Sequence, residues 1–164
     1  MPRTRAKVSN AVGATRAGRA VRNPDYEAAV RASFARQRFM HTLGASLGEI
    51  APGRVSIELP FAKAIGQQHG YVHAGALATI ADSACGYAAL TLCAPDMEVL
   101  SVEFKLNLLA PATAPLFLAT GEVVRSGRTL AVCRADVVGI EAESEELVAT
   151  MTATIIHRPA REEA

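Results

Sequence analysis

The sequence predicts an α+β domain in which an antiparallel β-sheet wraps around one long, buried helix. Three observations lead there. Residues 74–95 carry a single charged side chain, Asp82, in an otherwise small and apolar run. Segments on both sides of that run alternate apolar with polar residues, as half-buried strands do. Helix and strand patterns are also segregated along the chain (helix, two strands, helix, then a block of strands) rather than regularly interleaved.

Asn23-Pro24-Asp25 marks a helix start, with Asn23 as cap and Pro24 in the first turn. Helical spacing through Tyr26, Val30, Phe34 and Arg38 carries that helix to about His41, and Gly44 ends it. Residues 43–50 and 54–60 read as a hairpin around Ala51-Pro52-Gly53, where Pro followed by Gly suits a type II turn. Val55, Ile57 and Leu59 alternate with Ser56 and Glu58. Residues 61–73 form a polar, glycine-containing loop. Residues 74–95 then predict a helix of about five turns, buried on most sides. A membrane span is a poor reading of this run, because an Asp near its middle costs about 2.5–3.5 kcal/mol. Strands follow at 102–108, 116–125, 129–138 and 147–156. Ser126-Gly127-Arg128 turns the chain between the second and third of these, and an acidic loop over 141–146 precedes the last.

A length of 164 residues favours one domain, and a hydrophobic half supports a sizeable core. A formal net charge of +1 gives no pointer to nucleic acid or to a membrane. Cys85, Cys93 and Cys133 form no CxxC and no disulfide framework, and four scattered histidines suggest no metal site. Together these suit a cytoplasmic protein. The first 22 residues carry Arg3, Arg5, Lys7, Arg16, Arg19 and Arg22 and no acid. Such a start can be an organelle transit peptide or a tail for an anionic surface; the plainer reading is a disordered extension before a domain over 23–158, with a tail at 159–164.

Asp82 is the sharpest chemical feature. A carboxylate in an apolar helix is expensive unless it is paired or functional. Its neighbours one helical turn away are Ala78, Thr79, Cys85 and Gly86, which leave room for a substrate or a close-packed chain. Burial raises a carboxyl pKa, as suits a base or nucleophile. A structural carboxylate bonded to Thr79, Ser83 or nearby backbone accounts for the sequence equally well. Cys85 reads as a small buried apolar group, because a neighbouring carboxylate opposes thiolate formation.

The second feature is the start of the same helix, at His73-Ala74-Gly75. The first N–H groups of a helix lack internal partners and can hold a phosphate or a developing oxyanion. Gln67, Gln68 and His73 lie beside it in sequence. Alone, each is also an ordinary loop residue.

The run QQHGYVHAGALATIADSACGY, residues 67–87, resembles the hotdog-fold acyl-CoA thioesterases of the PaaI-like branch of the thioesterase superfamily. His73 matches the family histidine, and Asp82 follows at the family spacing. Gln67 stands where Asn is usual, and Ala74 and Gly75 stand on a Gly-Gly pair. The similarity continues through Ser101-Val102-Glu103-Phe104 to Ala110-Pro111-Ala112, and into Arg125-Ser126-Gly127-Arg128-Thr129.

The resemblance implies a hotdog fold and hydrolysis of an acyl-coenzyme A to free acid and CoA, with no metal or redox cofactor. Asp82 would activate water or attack the carbonyl itself. The Ala74 N–H would stabilise the oxyanion, with Gly75 beside it at the substrate. Gln67 (or Gln68 in its stead) would orient water or substrate, His73 would support the loop and the carbonyl, and Ser101 would hold the water. Arg125, Ser126, Gly127, Arg128 and Thr129 would contact coenzyme A. It also implies a homodimer with shared active sites, often a homotetramer.

Two physical points qualify these roles. Strict alternation puts Ser101 on the polar face with Glu103 and Lys105, away from Asp82, unless a bulge intervenes. Ala74 and Asp82 are eight residues apart, so about 12 Å along one helix, whereas both must come within roughly 3 Å of one reacting group. Two chains are therefore expected to share each site. The rival functions are a hotdog enoyl-CoA hydratase or dehydratase, a non-catalytic acyl-CoA-binding protein, and a structural oligomer.

Overall fold

The computed structural model describes residues 21–142 and 144–160. The basic run assigned to an N-terminal extension therefore lies almost wholly outside the described residues, as does most of the expected tail. The elements are α1 (Tyr26–Arg36), α2 (Arg38–Leu43), β1 (Ser46–Ala51), β2 (Arg54–Pro60), a short 3-10 turn (Lys63–Ile65), α3 (Ala74–Leu90), β3 (Met97–Leu108), β4 (Leu116–Ser126), β5 (Leu130–Glu141) and β6 (Ser144–Pro159). All six strands form one antiparallel sheet in the order β1-β2-β4-β5-β6-β3, and α3 lies along its concave side against β2 to β6.

The buried positions of β4 and β5 alternate, with Phe117, Ala119, Gly121 and Val123 opposite Gly139, Val137, Ala135 and Cys133. From α3, Leu77, Ile80, Ala81, Ala84, Cys85 and Ala88 press onto this inner face. The fit is close at one point. A Cβ on Gly121 of β4 would lie 2.3 Å from the Ala84 carbonyl carbon, so only glycine lets the helix backbone settle there. At the far end of α3, the buried Thr91 hydroxyl accepts the Gly53 N–H at 2.7 Å, tying the helix to the β1–β2 turn.

Several expected boundaries move. Asn23 does not cap a helix: its Oδ1 accepts the Asp25 N–H at 3.0 Å in a turn, and the helix begins at Tyr26. One helix to His41 becomes two, because Gln37 leaves helical geometry with ψ at 87°. Gly44 closes α2 in the left-handed conformation, with φ at +73°. The central helix stops at Leu90 rather than near Pro95, since Thr91 to Cys93 tighten into turns. The first strand begins at Ser46, after the Gly44 stop. The acidic loop at 141–146 is mostly strand: Glu141 pairs with Ser144 across a tight turn, so the charges extend the hairpin. β3 starts at Met97, five residues earlier than its apolar alternation suggests.

Candidate active site

Asp82 sits midway along α3, half-buried among small side chains. The Ser101 hydroxyl donates to its Oδ1 at 2.6 Å. Strict alternation would not bring Ser101 here. In the pairing of β3 with β6, Ser101 faces Ile155 and Glu103 faces Thr154, so two β3 steps span one β6 step and Val102 is left over. This bulge resets the phase of the strand. Val99, Ser101, Phe104 and Leu106 share the inner face, while Glu103 and Lys105 point outward beside Thr154 and Thr152. Burial raises the Asp82 carboxyl above the usual carboxylate range, and the Ser101 hydrogen bond partly offsets this by favouring the charged form. Of the structural partners weighed for Asp82, Thr79 is engaged elsewhere, because its hydroxyl donates to the Gly75 carbonyl at 2.7 Å. Burial also pushes the Cys85 thiol far up, with Cys133 and Asp82 adding to the shift, so it stays protonated.

The start of α3 is organised separately. His73 is the N-cap residue, and its Nδ1 accepts the Gly75 N–H at 2.9 Å. A neutral ring in that position carries its proton on Nε2. Gly75 therefore offers no free N–H here. The Ala74 N–H takes no acceptor among the described residues. Gln67 turns its side-chain oxygen onto its own loop, accepting the His69 N–H at 2.6 Å, and the Gln68 side-chain nitrogen lies 3.3 Å from the His69 ring. Gln67, Gln68, His73 and Ala74 line a hollow of about 370 Å³ that Leu108 and Pro111 complete.

Asp82 and Ser101 line a different hollow, of about 810 Å³, between α3, the start of β3 and α1. Within one chain the two groups of residues are thus not brought together. Arg125 and Ser126 end β4, and Gly127 to Thr129 form the β4–β5 turn. Gly127 donates to the Leu130 carbonyl and Thr129 accepts the His157 N–H. A bulge at Val124 places Arg125 opposite Val132 on the outer face of the sheet. On the inner face, Ser101 is in line with Ile155, Ala131 and Ser126. The turn therefore lies a few strand spacings, roughly 10–15 Å, from Ser101.

The sequence reading gave no functional role to Tyr87, Ser33 and Arg36, which line the larger hollow. A signal for Tyr87 existed, since it is the one aromatic residue in α3. Among the described residues no three His, Cys, Asp or Glu side chains gather as a metal site would require. No helix among them is long and apolar enough to cross a membrane.

Comparison with known proteins bears on what such a site is for. The thioesterase superfamily model matches residues 69–144, which contain Asp82, Ser101 and the helix start. A crystal structure of a thioesterase family protein from Silicibacter pomeroyi superposes with a TM-score of 0.81 at 47% identity, covering 82% of this chain and 99% of that one. A 1,4-dihydroxy-2-naphthoyl-CoA hydrolase from Listeria monocytogenes is 28% identical over 114 residues, 70% of this chain and 90% of the relative. The Escherichia coli PaaI protein from the phenylacetic acid degradation operon shares the fold, with a TM-score of 0.73 at 18% identity over 80% of this chain and 92% of that one. On the strength of the long match at 47% identity and of the helix-wrapping sheet, the chain belongs to the thioesterase superfamily and has its hotdog fold.

Proposed function

We propose that this chain hydrolyses acyl-coenzyme A thioesters at sites shared by two copies of itself. The observation that carries the reading is Asp82: a half-buried carboxylate with a raised pKa, held by Ser101 at the wall of a hollow large enough for an acyl group. In hydrolysis, a water oxygen bonds to the thioester carbon, the carbon–sulfur bond breaks, and the water proton ends on sulfur. Asp82 accepts the water proton and returns it to the departing thiolate, or attacks the carbon first and is freed by water. The Ser101 hydroxyl fixes one carboxylate oxygen, which leaves the other for this work. The carbonyl oxygen gains charge in the transition state, and the Ala74 N–H at the positive end of α3 suits it. His73 lines the smaller hollow at that helix start.

The shared site follows from distance and from the sheet edge. Ala74 and Asp82 stand about 12 Å apart along one helix and open into separate hollows, too far to serve one carbonyl. β3 ends the described sheet, and Val102 and Phe104 on it are 57% and 47% exposed. An apolar, unpaired edge of this kind favours antiparallel pairing with the β3 of a second copy. A two-fold axis there would set the α3 helices side by side and bring each Ala74 toward the other chain's Asp82. The β4–β5 turn, with Arg125 and Arg128, would hold the coenzyme A phosphates.

The test is a panel of short, medium and aromatic acyl-CoA substrates followed by release of free thiol. Thiol release from at least one class is expected. Hydration of an enoyl-CoA without thiol release, or binding without turnover, would overturn the reading.

A further inference from the structure

Tyr87 is a polar side chain that the mechanism above does not use. It lies five residues beyond Asp82 on α3, about 7.5 Å further along the axis, and lines the same hollow. Only 4% of it is exposed, and its hydroxyl is buried without a hydrogen bond of normal geometry. Its ring is held by Phe34 of α1, with centroids 5.9 Å apart. Ser33 and Arg36, also on α1 and also lining the hollow, are its polar neighbours. Burial raises the phenol pKa more than these two neighbours lower it, so the group is a proton donor at neutral pH. Buried hydroxyls in native proteins are nearly always paired, and here the contact with the Ser33 hydroxyl falls short of normal geometry, which leaves the phenol a proton to give to a partner in the hollow. The wall is mixed: Ala29, Ala32, Gly86 and Leu90 are apolar, while Gln37, Ser83 and Glu98 also line the hollow.

We propose that Tyr87 is a specificity-determining residue that donates a hydrogen bond to an oxygen at the far end of the acyl group, with Ser33 beside it. The preferred substrate is then an acyl-CoA whose acyl chain carries a hydroxyl or keto oxygen remote from the thioester, in preference to the plain hydrocarbon of the same length. This rests on the reading that the hollow beside Asp82 receives the acyl group. Phe34 of α1 packs on the Tyr87 ring, and the hydroxyl is closed from solvent. That helix buries only Val30 and Phe34, and Arg36 on it is exposed. A site built to hydrogen-bond an oxygen discriminates against the analogue lacking it far better than an apolar pocket discriminates by size.

The experiment measures binding in the Asp82→Asn protein, which separates acyl recognition from turnover. A length series of straight acyl-CoAs, each paired with its omega-hydroxy counterpart, is titrated by calorimetry. At one length the hydroxylated member is expected to bind about 10-fold more tightly. In Asp82→Asn/Tyr87→Phe the ratio at that length is expected to fall to about one, with the melting temperature checked to confirm folding. No preference at any length, a preference that survives Tyr87→Phe, or no binding at all would overturn the inference. If the preference holds but the unmutated protein releases no thiol from the same compounds, the hydrolase reading fails while the role of Tyr87 stands.

Discussion

The two candidate regions of α3 are built in opposite ways. At its start, the candidate group is a backbone N–H, which exists because of chain direction and needs no particular side chain; alanine at 74 serves as well as glycine. At its middle, the candidate group is the Asp82 side chain. Its position and acidity depend on Ser101 from a strand nineteen residues away and on burial by the neighbouring elements. The first region is robust to substitution and sensitive to helix geometry. The second is sensitive to each side chain around it.

The largest expected effect is at the carboxylate. Asp82→Ala should lower turnover by at least about 10²-fold in a protein that remains folded, the usual scale for losing a base or nucleophile. Asp82→Asn should be nearly as poor in steady-state thiol release, being isosteric but not basic. The sign of its stability effect is also set. A carboxyl whose folded pKa is raised above 3.8 destabilises the fold once ionised. Asp82→Asn should therefore melt higher than wild type at neutral pH, and the gain should shrink as pH falls toward the ordinary carboxylate value.

Next is the backbone donor. Ala74→Pro removes the N–H at the first helical position, where proline is tolerated, and His73 already has the extended ψ of 135° that a residue before proline needs. It should be almost inactive alone. Mixed with Asp82→Asn after subunit exchange, half the dimers pair the two variants and each mixed dimer holds one intact site. Activity should then return to roughly a quarter of wild type by this counting. No recovery, with exchange confirmed by mass, would mean that the site assembles within one chain or that the role given to Ala74 is wrong.

Ser101→Ala should cost about 10-fold in kcat/KM, the scale of one hydrogen bond to a charged group. The acid limb of the pH profile gives a sharper readout. Ser101 lowers the Asp82 pKa, so its loss should move that limb to higher pH; a limb that stays in place or moves down would contradict the contact. The smallest effect concerns the β4–β5 turn. Changing Arg125 and Arg128 together to Ala should raise KM for acyl-CoA several-fold and leave short thioester analogues without the nucleotide almost untouched. Equal losses on both would remove the proposed phosphate contact.

The central helix was legible because burial leaves a compositional mark: one charge in a long apolar run. The hairpins were legible because Pro-Gly and Ser-Gly mark turns locally. Strand phase was not. On β3, β4 and β6 a register shift leaves one valine over (Val102, Val124 and Val148), and each shift reverses which face the following residues take. Valine is an ordinary strand residue, so nothing local distinguishes these three from their neighbours. Ser101 reads as solvent-facing for that reason alone. The acidic run at 141–146 misled in the reverse direction, because charges at the end of a long hairpin stay solvated while their backbones pair.

The sequence by itself determined the secondary-structure order, the buried helix, the identity of its lone carboxylate and the eight-residue separation from the helix start. These depend on periodicity, turn chemistry and chain geometry, which act over a few residues. Only the tertiary structure decided that Ser101 reaches Asp82, that His73 consumes the Gly75 N–H, and that Tyr87 and α1 wall the hollow beside the carboxylate. Those outcomes depend on pairing between distant strands and on packing of α1 against α3, where one extra residue in a ladder changes which side chains can meet.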